Sequence, residues 1–114
     1  MKNSKRLWIV FILALLVAPI AKAADSEVVE MQLTLSNHTF DPQSLTVPSG
    51  KKIKLTIVNK DASAAEFESE DLRREKIIPA NGQIYVYIGP LDAGTYGYFD
   101  DFHRSTTTGI IVAQ

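Results

Sequence analysis

Cysteine is absent from the sequence, and sulfur is confined to Met1 and Met31. Disulfide bonds are therefore excluded, and a small domain of this composition depends on the burial of its side chains for stability. A thiolate metal ligand and a cysteine nucleophile are excluded as well, since both require a deprotonated thiol. The absence also excludes a lipid anchor attached to a cysteine.

Histidine is scarce, with His38 and His103 the only two in the sequence. A Ser-His-Asp triad would need one of them, and the serines do not stand in the G-x-S-x-G pattern of a nucleophile elbow. A glycine-rich phosphate-binding loop is also absent. The sequence therefore gives no indication of nucleophilic catalysis.

The first residues have the pattern of a secretion signal. A basic start is followed by an almost unbroken apolar run over residues 7–20, and then by the small-x-small sequence Ala21-Lys22-Ala23. That run of about 14 residues is shorter than the roughly 20 that a transmembrane helix needs. We expect residues 1–23 to be cleaved on export to the bacterial periplasm, leaving residues 24–114 as one domain that does not span the membrane. An uncleaved membrane anchor is the alternative.

Basic residues are fewer than acidic residues in the domain that follows this segment. The whole chain has 12 basic and 13 acidic residues, and residues 1–23 contain four of the basic ones and none of the acidic ones. The remaining domain therefore has 8 basic and 13 acidic residues, a net charge of −5. Such a domain has little with which to neutralise a phosphate backbone, so we expect no nucleic-acid partner. A cation is a more suitable ligand for an acidic domain.

Apolar and polar residues alternate with a period of two, which is typical of strands with one buried face. The alternation covers residues 31–35, 53–57 and 84–88, and the apolar run 109–113 is typical of a central closing strand. Turn residues separate these runs. The pattern predicts an all-β, two-sheet antiparallel sandwich. The charged stretch 70–76 is either a helix of about two turns or an irregular loop and strand.

Two local patterns are typical of a Greek-key sandwich. Asp92-Ala93-Gly94-Thr95-Tyr96 has the D-x-G-x-Y form of a tyrosine corner, in which the phenol hydroxyl bonds back to the backbone. An ordinary core tyrosine is the alternative. In the succession Phe40-x-Pro42-x-x-Leu45-x-Val47-Pro48-x-Gly50, Phe40 and Leu45 would be core anchors, and the prolines would protect a sheet edge.

Together with Val58-Asn59-Lys60-Asp61 and Gly109-Ile110-Ile111-Val112, these patterns resemble the cupredoxin family over nearly all of residues 24–114. The resemblance implies a cupredoxin-like Greek-key antiparallel β-sandwich. In that family a His ligand follows the Asn-x-Asp strand, and a Cys ends the strand after the tyrosine. A second His and a Met lie on the loop before the last strand.

The sequence departs from that ligand set at three of four places. Glu66 stands where the first His is expected, Asp100 where the Cys is expected, and Thr107 at the Met position. His103 keeps the second His position. Because a blue-copper centre requires a thiolate, electron transfer through type 1 copper is excluded.

The sequence Ala65-Glu66-Phe67-Glu68-Ser69, followed by Glu75-Lys76-Ile77-Ile78-Pro79, resembles the cupredoxin-like modules of bacterial ferrous-iron uptake systems. These include a domain of the elemental ferrous uptake system and the small cupredoxin of iron-permease operons. The resemblance implies binding of Fe(II), its oxidation to Fe(III), and two partners: a periplasmic iron-binding protein and an inner-membrane iron permease. Glu75 is a weak further candidate, and the charged residues 73–76 are otherwise interpreted as a solvated face.

The residues themselves favour a metal site of carboxylates and one imidazole. Asp100 and His103 lie three residues apart on the loop that follows a strand. The resemblance implies that Glu66 approaches them from the neighbouring edge loop of a cupredoxin-like sandwich. Glu68, two residues along the same strand face, is an additional or alternative ligand. Such donors suit Fe(II), Fe(III) and Mn(II), and they also accept Cu(II) or Zn(II). We therefore expect iron at this site, with copper as a second candidate.

Each candidate has a structural alternative. His103 can cap its loop, Asp100 can bond its own backbone, and Glu66 can be merely solvated. Asp101 is left out because it points away if the strand continues through it, and His38 is interpreted as a structural turn residue. The functions left open are ferroxidase-like oxidation of iron, a copper or iron chaperone without turnover, and an adaptor that has lost its metal.

Overall fold

The computed structural model describes residues 27–114 and the single residue Ala14. The predicted signal peptide, residues 1–23, lies outside the range 27–114, and so does the predicted start of the domain at residue 24. Within the described part of the chain, no helix has the length and apolar character needed to cross a membrane.

The described range contains nine strands and one 3₁₀ helix, which lies between the last two strands. In chain order they are β1 (Val29–Ser36), β2 (Thr39–Asp41), β3 (Ser44–Val47), β4 (Ile53–Asn59), β5 (Ala65–Ser69), β6 (Arg74–Ile78), β7 (Gln83–Ile88), β8 (Gly94–Asp100), the 3₁₀ helix (Asp101–His103) and β9 (Gly109–Ala113).

The strands form two sheets, which we call sheet A and sheet B. Sheet A has the order β2-β1-β4-β7, and sheet B has the order β3-β9-β8-β5-β6. The predicted all-β sandwich is confirmed, but β1 pairs with β4 and β3 pairs with β9 in parallel, so both sheets are mixed rather than purely antiparallel. The cause is the crossover: the chain leaves sheet A after β2, adds β3 to sheet B, and returns as β4 beside β1.

Alternate side chains of the strands fill the space between the sheets, as the sequence pattern predicts. Every second residue of β4 and β7 is buried, and from sheet B the fully buried Phe67 and Ile111 join the same core. Burial of each large apolar side chain contributes about 1.5–3 kcal/mol to stability. The predicted central strand over residues 109–113 is also confirmed, because β9 lies between β3 and β8.

The tyrosine corner is present. The hydroxyl of Tyr96 donates to the backbone carbonyl of Asp92 at 2.8 Å, which ties the chain before β8 to the strand itself. Phe40 and Leu45 are both buried, as expected for core anchors.

The charged stretch 70–76 forms a turn and a strand, so its helical alternative is wrong. Ser69 Oγ accepts from the buried Leu72 N–H at 3.1 Å, and Arg73 has a positive φ of 54°. The chain therefore turns back and pairs as β6 with β5. Although Arg74 and Lys76 are exposed, their side chains are bonded to the backbone of β7.

Candidate metal site

The candidate site lies where β8 ends beside β5. These strands are antiparallel neighbours, with Phe67 opposite Asp100. The 3₁₀ helix begins directly after β8 and also packs against β5. The fold therefore brings residues 66–68 next to residues 100–103, as the sequence analysis expected.

Asp100 is fully buried, and its carboxylate is bonded on both oxygens. Oδ1 accepts from the backbone N–H of Glu66 at 2.9 Å and from that of Phe102 at 3.0 Å. Oδ2 lies 2.8 Å from Nδ1 of His103. A buried carboxylate is costly unless it is paired and hydrogen-bonded, and these three donors meet that need. Asp100 therefore connects β5, the 3₁₀ helix and His103.

Thr107, in the place of the family's methionine, closes the loop between the 3₁₀ helix and β9. Its side chain is buried, and its hydroxyl accepts from the backbone N–H of Asp100 at 2.9 Å. The same oxygen lies 2.7 Å from the carbonyl of His103, to which it can donate its single proton. Thr107 thus fixes the loop and is not directed towards a ligand.

His103 is partly exposed, and its ring orientation follows from Asp100. The carboxylate of Asp100 accepts a hydrogen bond from Nδ1–H, and this fixes the neutral tautomer in which Nε2 carries the lone pair. The nitrogen that His103 offers to a ligand is therefore Nε2.

His38, at the tip of the β1–β2 hairpin, lies against His103. The two ring centroids are 3.8 Å apart, with an interplanar angle of 20°. Sequence reasoning interpreted His38 as a turn residue and missed this contact. One feature of the sequence indicated that His38 is unusual: it follows Asn37 at a position where a tight hairpin turn usually has glycine.

Three carboxylates from β5 and the 3₁₀ helix form an acidic cluster at the surface. Glu66, Glu68 and Asp101 each offer one oxygen, and these oxygens lie within 4.8 Å of one another. The expectation that Asp101 points away was wrong, because the strand ends at Asp100. The Asp100 side chain caps the 3₁₀ helix by accepting from Phe102 N–H, a role that aspartate favours at helix N-termini.

The acidic cluster carries unfavourable charge repulsion. A hydrogen bond with Glu75, then burial and the negative charges of Glu75, Asp101 and Glu68, raise the pKa of Glu66 to about 7. Burial and the charges of Asp101 and Glu75 also raise the pKa of Glu68. Arg104 offsets part of this repulsion, with Nε 2.7 Å from Asp101 Oδ1. A bound cation would relieve the remainder.

The structure divides the predicted ligand set into two parts. Glu66 and Glu68 belong to the acidic cluster, whereas Asp100 and His103 form the bonded pair. Among the described residues, the cluster with Asp101 is the one group of three or more such side chains whose ligand atoms converge. Oxygen donors fit a hard cation such as Fe(II), Fe(III) or Mn(II), and they do not fit type 1 copper, which requires a thiolate.

Comparison with known proteins identifies the family. The model of the cupredoxin-like domain matches residues 7–113. The chain belongs to the cupredoxin-like domain family. A relative, the uncharacterized protein RP394 of Rickettsia prowazekii (strain Madrid E), is 39% identical over 90 residues, which cover 79% of this chain and 72% of that protein.

Solved cupredoxin structures have the same fold. Auracyanin A, a "blue" copper protein of Chloroflexus aurantiacus, aligns with a TM-score of 0.66 and 16% identity, over 77% of this chain and all of its own. The purple cupredoxin of Nitrosopumilus maritimus aligns with a TM-score of 0.57 and 16% identity, over 75% of this chain and 99% of its own. At this identity the similarity shows the fold, and the chemistry of this cupredoxin-like site depends on its own side chains.

Proposed function

We propose that this protein is an exported, cupredoxin-like component of a ferrous-iron transport system that binds Fe(II) and promotes its oxidation to Fe(III). The observation that carries the proposal is the convergence of Glu66, Glu68 and Asp101 within 4.8 Å. Three carboxylate oxygens, in a chain that has no thiolate, form a donor set for a hard cation.

Iron oxidation follows from the same donor set. Anionic oxygen ligands stabilise Fe(III) more than Fe(II), because the higher charge gains more from them. Binding at the acidic cluster therefore lowers the iron reduction potential. Each Fe(II) gives up one electron to dioxygen, and four such electrons with four protons convert one dioxygen molecule into two water molecules.

His103 is the nitrogen donor nearest in sequence to the acidic cluster, since it shares the 3₁₀ helix with Asp101. In this proposal the Nε2 of His103, which lies outside the converging group of three carboxylates, is the nitrogen donor offered to the iron, and the buried Asp100 holds the ring. Asp100, which the sequence analysis expected to be a direct ligand, acts through His103 because its oxygens are already bonded to three donors.

The cellular setting of the proposal is supported by the sequence. The signal-peptide pattern of residues 1–23 supports export to the periplasm. The resemblance around residues 65–69 and 75–79 supports two partners, a periplasmic iron-binding protein that receives Fe(III) and an inner-membrane iron permease.

The test is an anaerobic Fe(II) titration of the exported protein, followed by admission of air while Fe(III) formation is recorded. The informative variants are Glu68→Gln and Asp101→Asn, because both side chains are at the surface and neither has a backbone partner among the hydrogen bonds of the described residues. Glu30→Gln is the matched control, since the Glu30 side chain is 78% exposed and lies on β1 in the other sheet.

Saturable binding, with oxidation faster than in protein-free buffer, is expected for the parent protein and for Glu30→Gln. Both properties should be lost in Glu68→Gln and Asp101→Asn. Binding of iron or copper without accelerated oxidation would indicate a chaperone. If neither metal binds, an adaptor without metal is the remaining interpretation.

A further inference from the structure

The turn that carries His38 has an unusual residue for its backbone conformation. Asn37 and His38 connect β1 to β2 and have φ values of 51° and 53°. A two-residue hairpin turn with both φ values positive is of type I′, which strongly favours Asn-Gly. A non-glycine residue with positive φ is uncommon. Histidine at the position that glycine usually occupies therefore costs conformational free energy, and contacts elsewhere must offset that cost.

Asp61, in the loop after β4, holds this turn from outside the hairpin. Its carboxylate accepts from the backbone N–H of Asn37 at 2.6 Å and from that of His38 at 3.0 Å. Asp61 is itself fixed, because its own N–H donates to the side chain of the buried Asn59 at 3.0 Å. The position of the His38 backbone is thus determined by a part of the chain more than twenty residues away.

The ring of His38 is placed by stacking and not by a hydrogen bond of its own. Nδ1 is buried and has no hydrogen-bond partner within the described residues, although it lies 3.4 Å from Asp61 Oδ2. One face of the ring covers His103 at a centroid distance of 3.8 Å. The turn and Asp61 therefore hold the His38 ring in contact with the ring of His103.

We propose that His38 is a positioning residue for His103. Two contacts fix the His103 imidazole: Asp100 binds Nδ1 at its edge, and His38 covers one face of the ring. Together they hold the ring with Nε2 as the free donor. The inference rests on the proposed function, because it assigns His38 and Asp100 to the presentation of His103 to a metal ion.

The ring geometry argues against His38 as a ligand to the same ion. An imidazole lone pair lies in the ring plane, and the two planes are within 20° of parallel. Lone pairs in nearly parallel, stacked rings do not converge on one point. A ring that lacks nitrogen should therefore serve at position 38 as well as histidine does.

Two substitutions separate the ring from the turn. His38→Gly removes the ring and places the residue that a type I′ turn favours, so the hairpin should remain folded. His38→Phe keeps a flat ring and removes both nitrogens. The measurement is NMR of ¹⁵N-histidine-labelled protein at about pH 8, above the reference pKa of a histidine side chain in a model peptide. Spectra are recorded without metal and then with Zn(II) as a diamagnetic probe.

In the metal-free parent protein and in His38→Phe, we expect His103 to show the Nδ1–H tautomer in a single ring orientation. His38→Gly should retain its amide spectrum but show averaged ring signals for His103. Its zinc affinity should fall about tenfold, as is usual when a residue that orients a ligand is lost.

The positioning role is overturned if His38→Gly leaves both the His103 signals and the zinc affinity unchanged. It is also overturned if His38→Phe loses affinity as His38→Gly does, since a ring nitrogen would then be required. Failure of the parent protein to bind zinc or iron would contradict the proposed function instead. In that case the metal-free spectra still decide whether His38 orders His103.

Discussion

Glu66 takes part in both halves of the site. Its backbone N–H donates to the buried Asp100 at 2.9 Å, and its side chain belongs to the acidic cluster with Glu68 and Asp101. The same residue therefore connects the fixed interior of the site to its metal-facing surface. Substitutions at Glu66 other than proline should keep the buried hydrogen bond and act through the loss of the surface carboxylate.

The raised pKa of Glu66 predicts a pH dependence. Metal binding requires the ionised carboxylate, so affinity at the acidic cluster should rise as the pH increases through about 7. The stability of the metal-free fold should change with pH in the opposite direction. Because the folded-state pKa lies above the ordinary 4.5, the folded protein binds more protons than the unfolded chain between the two values. The free energy of unfolding attributable to Glu66 therefore falls as the pH rises through that window.

NMR titration of the Glu66 carboxyl carbon in the metal-free protein tests this prediction. The midpoint should be near 7 in the parent protein and lower in Glu75→Ala, because the hydrogen bond with Glu75 is the largest cause of the shift. Glu30→Gln should leave it unchanged. A midpoint near 4.5 in the parent protein would contradict the prediction.

At the scale of elements, the outer strands of the two sheets meet along one side of the sandwich. β7 is an outer strand of sheet A, and β6 is an outer strand of sheet B. From β6, Arg74 Nε donates to the carbonyl of Tyr87 at 2.9 Å, and Lys76 Nζ donates to that of Tyr85 at 3.0 Å. Free backbone groups on an edge strand promote pairing between molecules, so these two side chains protect β7.

Replacement of both by alanine should therefore promote self-association. We expect Arg74→Ala/Lys76→Ala to show concentration-dependent association in sedimentation velocity, while the parent protein stays monodisperse. Lys51→Ala/Lys60→Ala removes the same charge and serves as the control, because neither side chain is hydrogen-bonded to the β7 backbone among the described residues. Equal association of both double variants would show that the loss of charge is responsible, and not the exposure of the edge.

The strands and turns differ in how well they could be predicted from the sequence. Strands with strict alternation, such as β4 and β7, were predictable because one buried face requires it, and the tyrosine corner was predictable from five residues. The helical alternative for 70–76 was not decided by sequence, because the turn depends on Ser69 and Leu72 packing inside. The parallel pairs β1–β4 and β3–β9 follow from chain crossovers, which alternation does not encode.

The acidic cluster was predictable only in part, for a related reason. Glu66 and Glu68 are adjacent on one strand face, so their joint exposure follows from the period of two. The orientation of Asp101 depends on where β8 ends, and a shift of one residue reverses the side of a strand side chain. The contact of His38 with His103 joins positions 65 residues apart, which only the folded chain brings together.

At the scale of the whole molecule, the site is assembled from segments that are distant in sequence. Glu66 and Asp100 are 34 residues apart and meet through a hydrogen bond between β5 and β8. Beneath them, Tyr98 packs against Phe40 of sheet A at 5.1 Å and Phe67 of sheet B at 5.4 Å between ring centroids. The site therefore stands on a core to which both sheets contribute.

Metal binding should consequently stabilise the whole fold. A ligand that binds only the folded state, at a free concentration of 100 Kd, raises the free energy of unfolding by about 2.7 kcal/mol. Mn(II) is the suitable probe because it prefers oxygen donors, and chemical denaturation with and without it measures the increment. The parent protein and Glu30→Gln should both show it.

Two variants separate the interior of the site from its surface. Glu68→Gln should be at least as stable as the parent protein without metal, because it removes one of the repelling charges of the acidic cluster, and it should lose the Mn(II) increment. Asp100→Ala should be less stable by about 1–3 kcal/mol without metal, since it removes the buried acceptor of two backbone N–H groups and leaves them unsatisfied. If Asp100→Ala were as stable as the parent protein and only the Mn(II) increment were lost, Asp100 would be a direct ligand after all. The buried bonds of Asp100 to β5 and the 3₁₀ helix favour the first result, because removing them weakens the fold whether or not a metal is bound.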